Sequence, residues 1–192
     1  PYTTLFRSVK LGENFRRKAR FCADGHKTGA PASVTYSTVV SRDSVRILLM
    51  IAALNDLDVL GDDVQNAFLT APNKEKCWMI AGPEFGPLEG HLLVIVRALY
   101  GLRTSGARWH DRYADVMRIM GFHPCKADPD VWMKDCTTHY EYVLVYVDDL
   151  MFIGKKPQEF FDSLKDEHGF NLKGAVGTPS YHLGGDFFRD PD

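Results

Sequence analysis

The residues best suited to chemistry are Asp148 and Asp149, which stand side by side between two apolar runs, Tyr142-Val143-Leu144-Val145-Tyr146-Val147 and Leu150-Met151-Phe152-Ile153-Gly154. Both runs are rich in β-branched and aromatic residues and read as strands, with Asp148-Asp149 as the tight turn between them. Aspartate is a good turn former, and closing a hairpin is one sufficient account of the pair. A second account starts from electrostatics. Dense apolar strands are buried, and two carboxylates held at their end repel, which raises a carboxyl pKa unless a cation neutralises the pair. A hard divalent ion such as Mg2+ takes oxygen ligands and would remove the repulsion. A carboxylate from a neighbouring strand would complete such a site. The strand candidate Asp58 to Val64 carries three, Asp58, Asp62 and Asp63.

The elements that would position these acids follow from periodicity. Apolar residues Val45, Leu48, Leu49, Ala52 and Ala53 fall at helical spacing, with Ser41 as N-cap and Asn55 as the stop. Lys76 to Ile80 and Leu92 to Val96 read as two strands joined by a Gly/Pro-rich loop. A helix over about Ser105 to Met120 shows Ala107, Trp109, Tyr113, Val116, Met117 and Met120 on one stripe, and Gly121 ends it. Strands are expected over Asp130 to Lys134 and Tyr140 to Val147, then Leu150 to Gly154. Pro157 opens a helix to about His168, and Tyr181 to Arg189 reads as a closing strand. From Asp58 the order is strand, inserted hairpin, helix, strand, strand, helix, strand. Without the insert, this is the split β-α-β arrangement of ferredoxin-like α+β folds: an antiparallel sheet with helices on one face. That architecture sets the ends of inner strands side by side, so Asp63 is expected to face the Asp148-Asp149 turn.

Bulk composition sets wider bounds. The 192 residues suit one sizeable domain or two small ones. No apolar run approaches the ~20 residues of a membrane span. Cys22, Cys77, Cys125 and Cys136 are scattered without a C-x-x-C pair, which favours reduced thiols in an intracellular, cytoplasmic setting over a zinc site or disulfide frame. The net charge of −2 hides alternating blocks. Residues 1–46 carry +6, 47–96 carry −5, 97–127 carry +4 and 128–192 carry −7. Such separation fits an anionic ligand held by one part and metal by another; solvated basic faces are the alternative. The chain opens on Pro1 and is expected to be a piece of a longer protein; residues 1–8 fit no later pattern, resemble a translated sequencing adapter and are expected to be a non-native segment.

Several stretches now align with one family. Asp63-Val64-Gln65-Asn66-Ala67-Phe68-Leu69, Leu99-Tyr100-Gly101-Leu102-Arg103, Arg108-Trp109 and Tyr146-Val147-Asp148-Asp149-Leu150 resemble, in this order, the palm motifs of copia-type retrotransposon reverse transcriptases. Lys18-Ala19-Arg20 and Ser44-Val45-Arg46-Ile47-Leu48-Leu49 resemble its finger segments, and Tyr181-His182-Leu183-Gly184-Gly185-Asp186 its segment after the hairpin. The resemblance covers about residues 15–190. It implies a polymerase palm over 58–192, with a fingers insertion around 72–97, partial fingers over 9–57, and a thumb beyond the last residue. After Arg103 the chain departs from the commoner family pattern, with Thr104-Ser105-Gly106-Ala107 preceding Arg108.

By resemblance, the activity is RNA-directed DNA polymerisation: nucleotidyl transfer of dNTPs onto a primer with two Mg2+, or Mn2+ in their place. Asp63 and Asp148 would be bridging metal ligands, and Asp149 a further catalytic acid and metal ligand that tunes the field or touches the primer-side ion, with Asp62 a rival of Asp63 by position. Lys18 and Arg20 would neutralise the triphosphate, a solvated basic strand being the alternative. Backbone N–H groups of Asn66 and Ala67 would face that triphosphate. Phe68 would exclude a ribose 2′-hydroxyl by bulk, or else pack in the core. Gly101 and Arg103 would lie near the nascent base pair. Partners would be a primed RNA or DNA template, dNTP, and the thumb, ribonuclease H and integrase of a polyprotein, with no membrane. Without its thumb the piece is expected to polymerise poorly. The alternative is a catalytically silent retroelement remnant that at most binds nucleic acid. A template-independent nucleotidyl cyclase is a thinner option.

Overall fold

Local sequence signals become elements at most of the expected places. The computed structural model describes residues 3–10, 16–174, 176–179, 181–182 and 185–188; the side chains of 3–10, 16–20, 181–182 and 185 lie outside the described residues. In chain order the elements are β1 (Thr3–Lys10), β2 (Arg16–Ala23), α1 (Arg42–Leu54), β3 (Asp58–Asp63), α2 (Ala67–Thr70), β4 (Trp78–Ile80), β5 (Leu92–Val94), α3 (Ser105–Ile119), β6 (His123–Pro124), β7 (Val131–Asp135), β8 (Tyr140–Tyr146), β9 (Asp149–Gly154), α4 (Pro157–Asp166), β10 (Tyr181–His182) and β11 (Gly185–Asp186). The result is a mixed α/β fold with antiparallel sheets and packed helices.

The chain divides into two compact units, residues 1–37 with 68–112, and residues 38–67 with 113–192. Helix α1 is grouped with the second unit. In the first unit β1 pairs antiparallel with β2, Ser8 opposite Lys18 and Phe6 opposite Arg20. The β4–β5 hairpin lies in the same unit, with Met79 opposite Leu93.

The second unit is built on a five-stranded antiparallel sheet in the order β3-β9-β8-β7-β6. Strand β9 is central, and its Leu150, Met151, Phe152 and Ile153 are fully buried because β3 and β8 hydrogen-bond to either edge and helices cover its faces. Each such side chain removed from water contributes roughly 1.5–3 kcal/mol. Alternation sorts the two faces. Tyr142, Leu144, Met151 and Ile153 pack against Val45, Leu48 and Ala52 of α1. Phe152 stacks on Phe160 of α4 with centroids 4.6 Å apart, and Trp132 meets Tyr113 of α3 edge-on at 6.0 Å. Helices α3 and α4 thus pack on one face of the sheet, and the apolar stripe of α1 covers the opposite face.

Two further expectations change. The hairpin turn is Val147-Asp148, not Asp148-Asp149: the ladder of the central strand continues through Asp149, which pairs with Tyr146 on one side and Asp63 on the other. Tyr181 to Arg189 is not one strand, because β10 and β11 pair with each other; Leu183, Gly184 and Arg189 lie outside the described residues. Ser41 caps α1 as expected, accepting from the Ser44 N–H at 3.1 Å. Asp128 supports the same end: its Oδ2 accepts from the Ser44 hydroxyl at 2.6 Å and the Ser41 N–H at 3.0 Å. Burial works against the Asp128 charge, but these hydrogen bonds, with that from the Asp130 N–H, hold its carboxyl below the usual value.

Candidate active site

Three carboxylates gather at one end of the second unit's sheet. Asp63 ends β3 directly opposite Asp149, which begins β9, and Asp148 occupies the turn beside them. The Val64 N–H donates to the Asp148 carbonyl at 2.6 Å, which ties the end of β3 to the hairpin tip. Register decides between Asp63 and Asp62. Asp62 pairs with Leu150 and so projects to the α4 face, where its carboxylate accepts from the Gly174 N–H at 3.2 Å. Asp63 projects to the opposite face, with Asp149.

The cluster carries its own cation. Lys173 Nζ donates to Asp63 Oδ2 at 2.7 Å and to Asp148 Oδ2 at 3.1 Å. Its backbone N–H also donates to the Asp63 carbonyl at 2.9 Å. Partial burial favours the neutral amine, but hydrogen bonds and charge from Asp63 and Asp148 outweigh it and raise the Lys173 pKa above its ordinary 10.5. Two carboxylate oxygens converging on one ammonium form a hard donor set, the kind that suits Mg2+ or Mn2+. The acids are about one-third to two-fifths exposed, which leaves them open to solvent and to a phosphate-bearing ligand. Lys173 escapes a reading of the sequence. It belongs to no recognisable motif; the pairing of Leu172 with Val64 and the backbone bonds beside it bring it to the site.

The turn itself is under strain. Val147 sits at φ 57°, a conformation disfavoured for a β-branched residue. Backbone outliers of this kind cost of order 1–3 kcal/mol and gather at functional sites. Asn66, just past β3, is also left-handed at φ 54° and exposed, whereas Ala67 is buried.

The remaining expected residues belong to the first unit. Phe68 is half-buried against Tyr100, ring centroids 4.9 Å apart. Gly101, at φ 89°, lies so close to Ala23 that a Cβ would collide with the Ala23 carbonyl oxygen; one on Gly25 would strike the Gly101 carbonyl. Arg103 is exposed and reaches the His26 carbonyl at 3.4 Å. Lys18 and Arg20 are backbone members of β2, and their side chains lie outside the described residues.

Comparison with known proteins places the chain in a family. A family model described as reverse transcriptase (RNA-dependent DNA polymerase) matches residues 5–191. The chain is 32% identical over 146 residues to a retrovirus-related Pol polyprotein from transposon TNT 1-94 of Nicotiana tabacum, covering 73% of this chain and 11% of that protein. It is 28% identical over 153 residues to the Pol polyprotein from transposon RE1 of Arabidopsis thaliana, covering 78% and 10% respectively. A third such polyprotein, from transposon RE2 of the same plant, is 28% identical over 143 residues, covering 72% and 10%. The chain thus spans about a tenth of the length of these relatives. No solved structure matches it. With a match over nearly the whole chain, the protein belongs to the reverse transcriptase (RNA-dependent DNA polymerase) family.

Proposed function

We propose that this chain carries the polymerising centre of a retrotransposon reverse transcriptase, joining deoxynucleotides to a primer on an RNA or DNA template. The observation that carries the reading is the convergence of Asp63 and Asp148 on one ammonium, with Asp149 adjoining. The strand order supports it too. Strand β9 lies between β3 and β8, and the chain passes from β3 through α3 towards β8, as in a split β-α-β palm.

Asp63 and Asp148 would hold two Mg2+ or Mn2+ ions, Asp149 completing the acidic face. The ions would supply activation of the primer 3′-hydroxyl and charge neutralisation at the leaving pyrophosphate. The chain's own residues prepare that centre. The β3–β9 ladder fixes the carboxylate spacing, and Lys173 offsets their repulsion until a divalent ion arrives. Lys18 and Arg20 would bind triphosphate oxygens, and the Asn66 and Ala67 N–H groups would donate to them. Phe68 would select deoxyribose by bulk, and Gly101 and Arg103 would border the new base pair. The other polyprotein segments, thumb, ribonuclease H and integrase, are its expected partners.

Primer extension on a primed RNA template tests the reading. Weak, template-dependent incorporation is expected of this piece with Mg2+ or Mn2+, and its loss in Asp63→Asn and Asp148→Asn. Extension that survives Asp148→Asn, or incorporation indifferent to template, would overturn it.

A further inference from the structure

At the far end of β8 from the acids, the turn into that strand from β7 gathers a different donor set. Asp135 and Tyr140 form the last strand pair, and the loop Cys136-Thr137-Thr138-His139 closes on itself. The Cys136 N–H donates to the His139 carbonyl at 2.9 Å, and the Thr138 N–H to the Cys136 carbonyl at 2.8 Å. Thr137 takes the left-handed conformation the tight loop needs, φ 70°, and its N–H is held by the Asp135 carboxylate at 2.8 Å. This folding brings Cys136 Sγ, a ring nitrogen of His139 and a Glu141 carboxylate oxygen within 4.8 Å of one another.

Each donor is positioned independently. The Thr138 hydroxyl lies 3.0 Å from His139 Nδ1, which orients the ring and leaves Nε2 for the cluster. His139 Nε2 is buried, lacks a hydrogen-bond partner and stands 3.8 Å from Glu141 Oε1. Glu141 packs over Gly154, where a Cβ would approach its Cγ to 3.0 Å. His139 and Glu141 side chains are only 16% and 14% exposed. A His139–Glu141 ion pair, with the Cys136 thiol hydrogen-bonded to Glu141, is one use for these groups; a shared metal ion is another.

We propose that Cys136, His139 and Glu141 form a three-ligand zinc site at the β7–β8 turn, with water as the fourth ligand. Thiolate, imidazole and carboxylate together suit Zn2+ and not Mg2+, which takes oxygen donors. Zinc–ligand bonds of about 2.0–2.3 Å set tetrahedral ligand separations near 3.3–3.8 Å, so atoms within 4.8 Å of one another need close by at most about 1.5 Å. Burial, and then the Glu141 charge, push the Cys136 thiol up, so the metal-free site is protonated at sulfur. Binding then forms the Zn–S bond and releases that proton to solvent. Strand β8 is seven residues long, which places this site about 20 Å along the strand from Asp148. Its role is to clamp the turn, apart from nucleotidyl transfer, and the proposal does not depend on the polymerase reading.

Cobalt(II) titration of the purified chain, with zinc as competitor, tests it. One equivalent of Co2+ should give a thiolate-to-cobalt charge-transfer band that Zn2+ abolishes. The band should vanish in Cys136→Ser and persist in Asp63→Asn. His139→Ala and Glu141→Gln should bind at least about 100-fold more weakly, exceeding the ~10–100-fold typical of losing an outer partner of a ligand. Alkylation of the unmutated chain, mapped by mass spectrometry, avoids any variant that misfolds: Zn2+ should protect Cys136 selectively. No thiolate band, a band retained in Cys136→Ser, or protection that maps to Cys22, Cys77 or Cys125 would overturn the proposal.

Discussion

Replacing Lys173 by methionine keeps the length of the side chain and deletes the charge that bridges Asp63 and Asp148. If those acids hold the polymerase metal, the lysine is its competitor, and its loss should tighten metal binding. The magnitude follows from exposure. Lys173 is 36% exposed, Asp63 42% and Asp148 32%, so solvent screens each contact and neither merits the value of a buried pair. Pairs so placed are worth about 0.2–1 kcal/mol each, hence about 0.4–2 kcal/mol for the two. At ~1.4 kcal/mol per tenfold, Lys173→Met should bind Mn2+ about 2- to 30-fold more tightly. The free-ion signal of Mn2+ in electron paramagnetic resonance measures this directly, near neutral pH and at low salt, and the gain should shrink as salt rises. Stability should move the opposite way without metal. A lysine whose folded pKa is raised stabilises the fold below the ordinary 10.5 and loses that contribution as pH climbs through the raised value. Lys173→Met should abolish this alkaline loss. Unchanged or weaker Mn2+ binding by a folded Lys173→Met would refute the idea that ammonium and metal share one place.

Asp128→Ala should destabilise the second unit by about 1–2 kcal/mol, read by urea denaturation at neutral pH, since it removes the support of the α1 N-terminus. Because the folded pKa lies below the ordinary 3.8, that contribution is present above this value and fades as pH falls through the lowered one, so the two proteins should converge in acid. Gly101→Ala should lower the stability of the first unit by at least about 1–3 kcal/mol, through its φ of 89° and the collision with the Ala23 carbonyl. An unaltered thermal midpoint would show that the two segments do not approach so closely.

Elements whose signal is local were legible in the sequence. Ser41 marked the start of α1, Pro157 that of α4, and the apolar runs around Asp148-Asp149 the two strands. What could not be read depends on partners distant in the chain. The turn slipped to Val147-Asp148 because β3 and β8 both extend the ladder to Asp149. The face chosen by α1 is invisible to helical periodicity, which reports that a stripe is buried but not where. Asp62 and Asp63 were separable only by motif register until strand alternation set them on opposite faces. Lys173 carries no local mark at all, and Cys136, His139 and Glu141 lack the paired-cysteine spacing that marks a zinc site in a sequence.

The sheet of the second unit is assembled from stretches that the first unit interrupts. Strand β3 finds its neighbour β9 only about 85 residues later in the chain, which at ribosomal rates of ~5–20 residues per second is roughly 4–17 s of synthesis. Through that interval its hydrogen-bonding edges wait unmatched on the ribosome. There Asp58, Asp62 and Asp63, charges spread along so short a strand, also act as guards against premature association with other nascent chains.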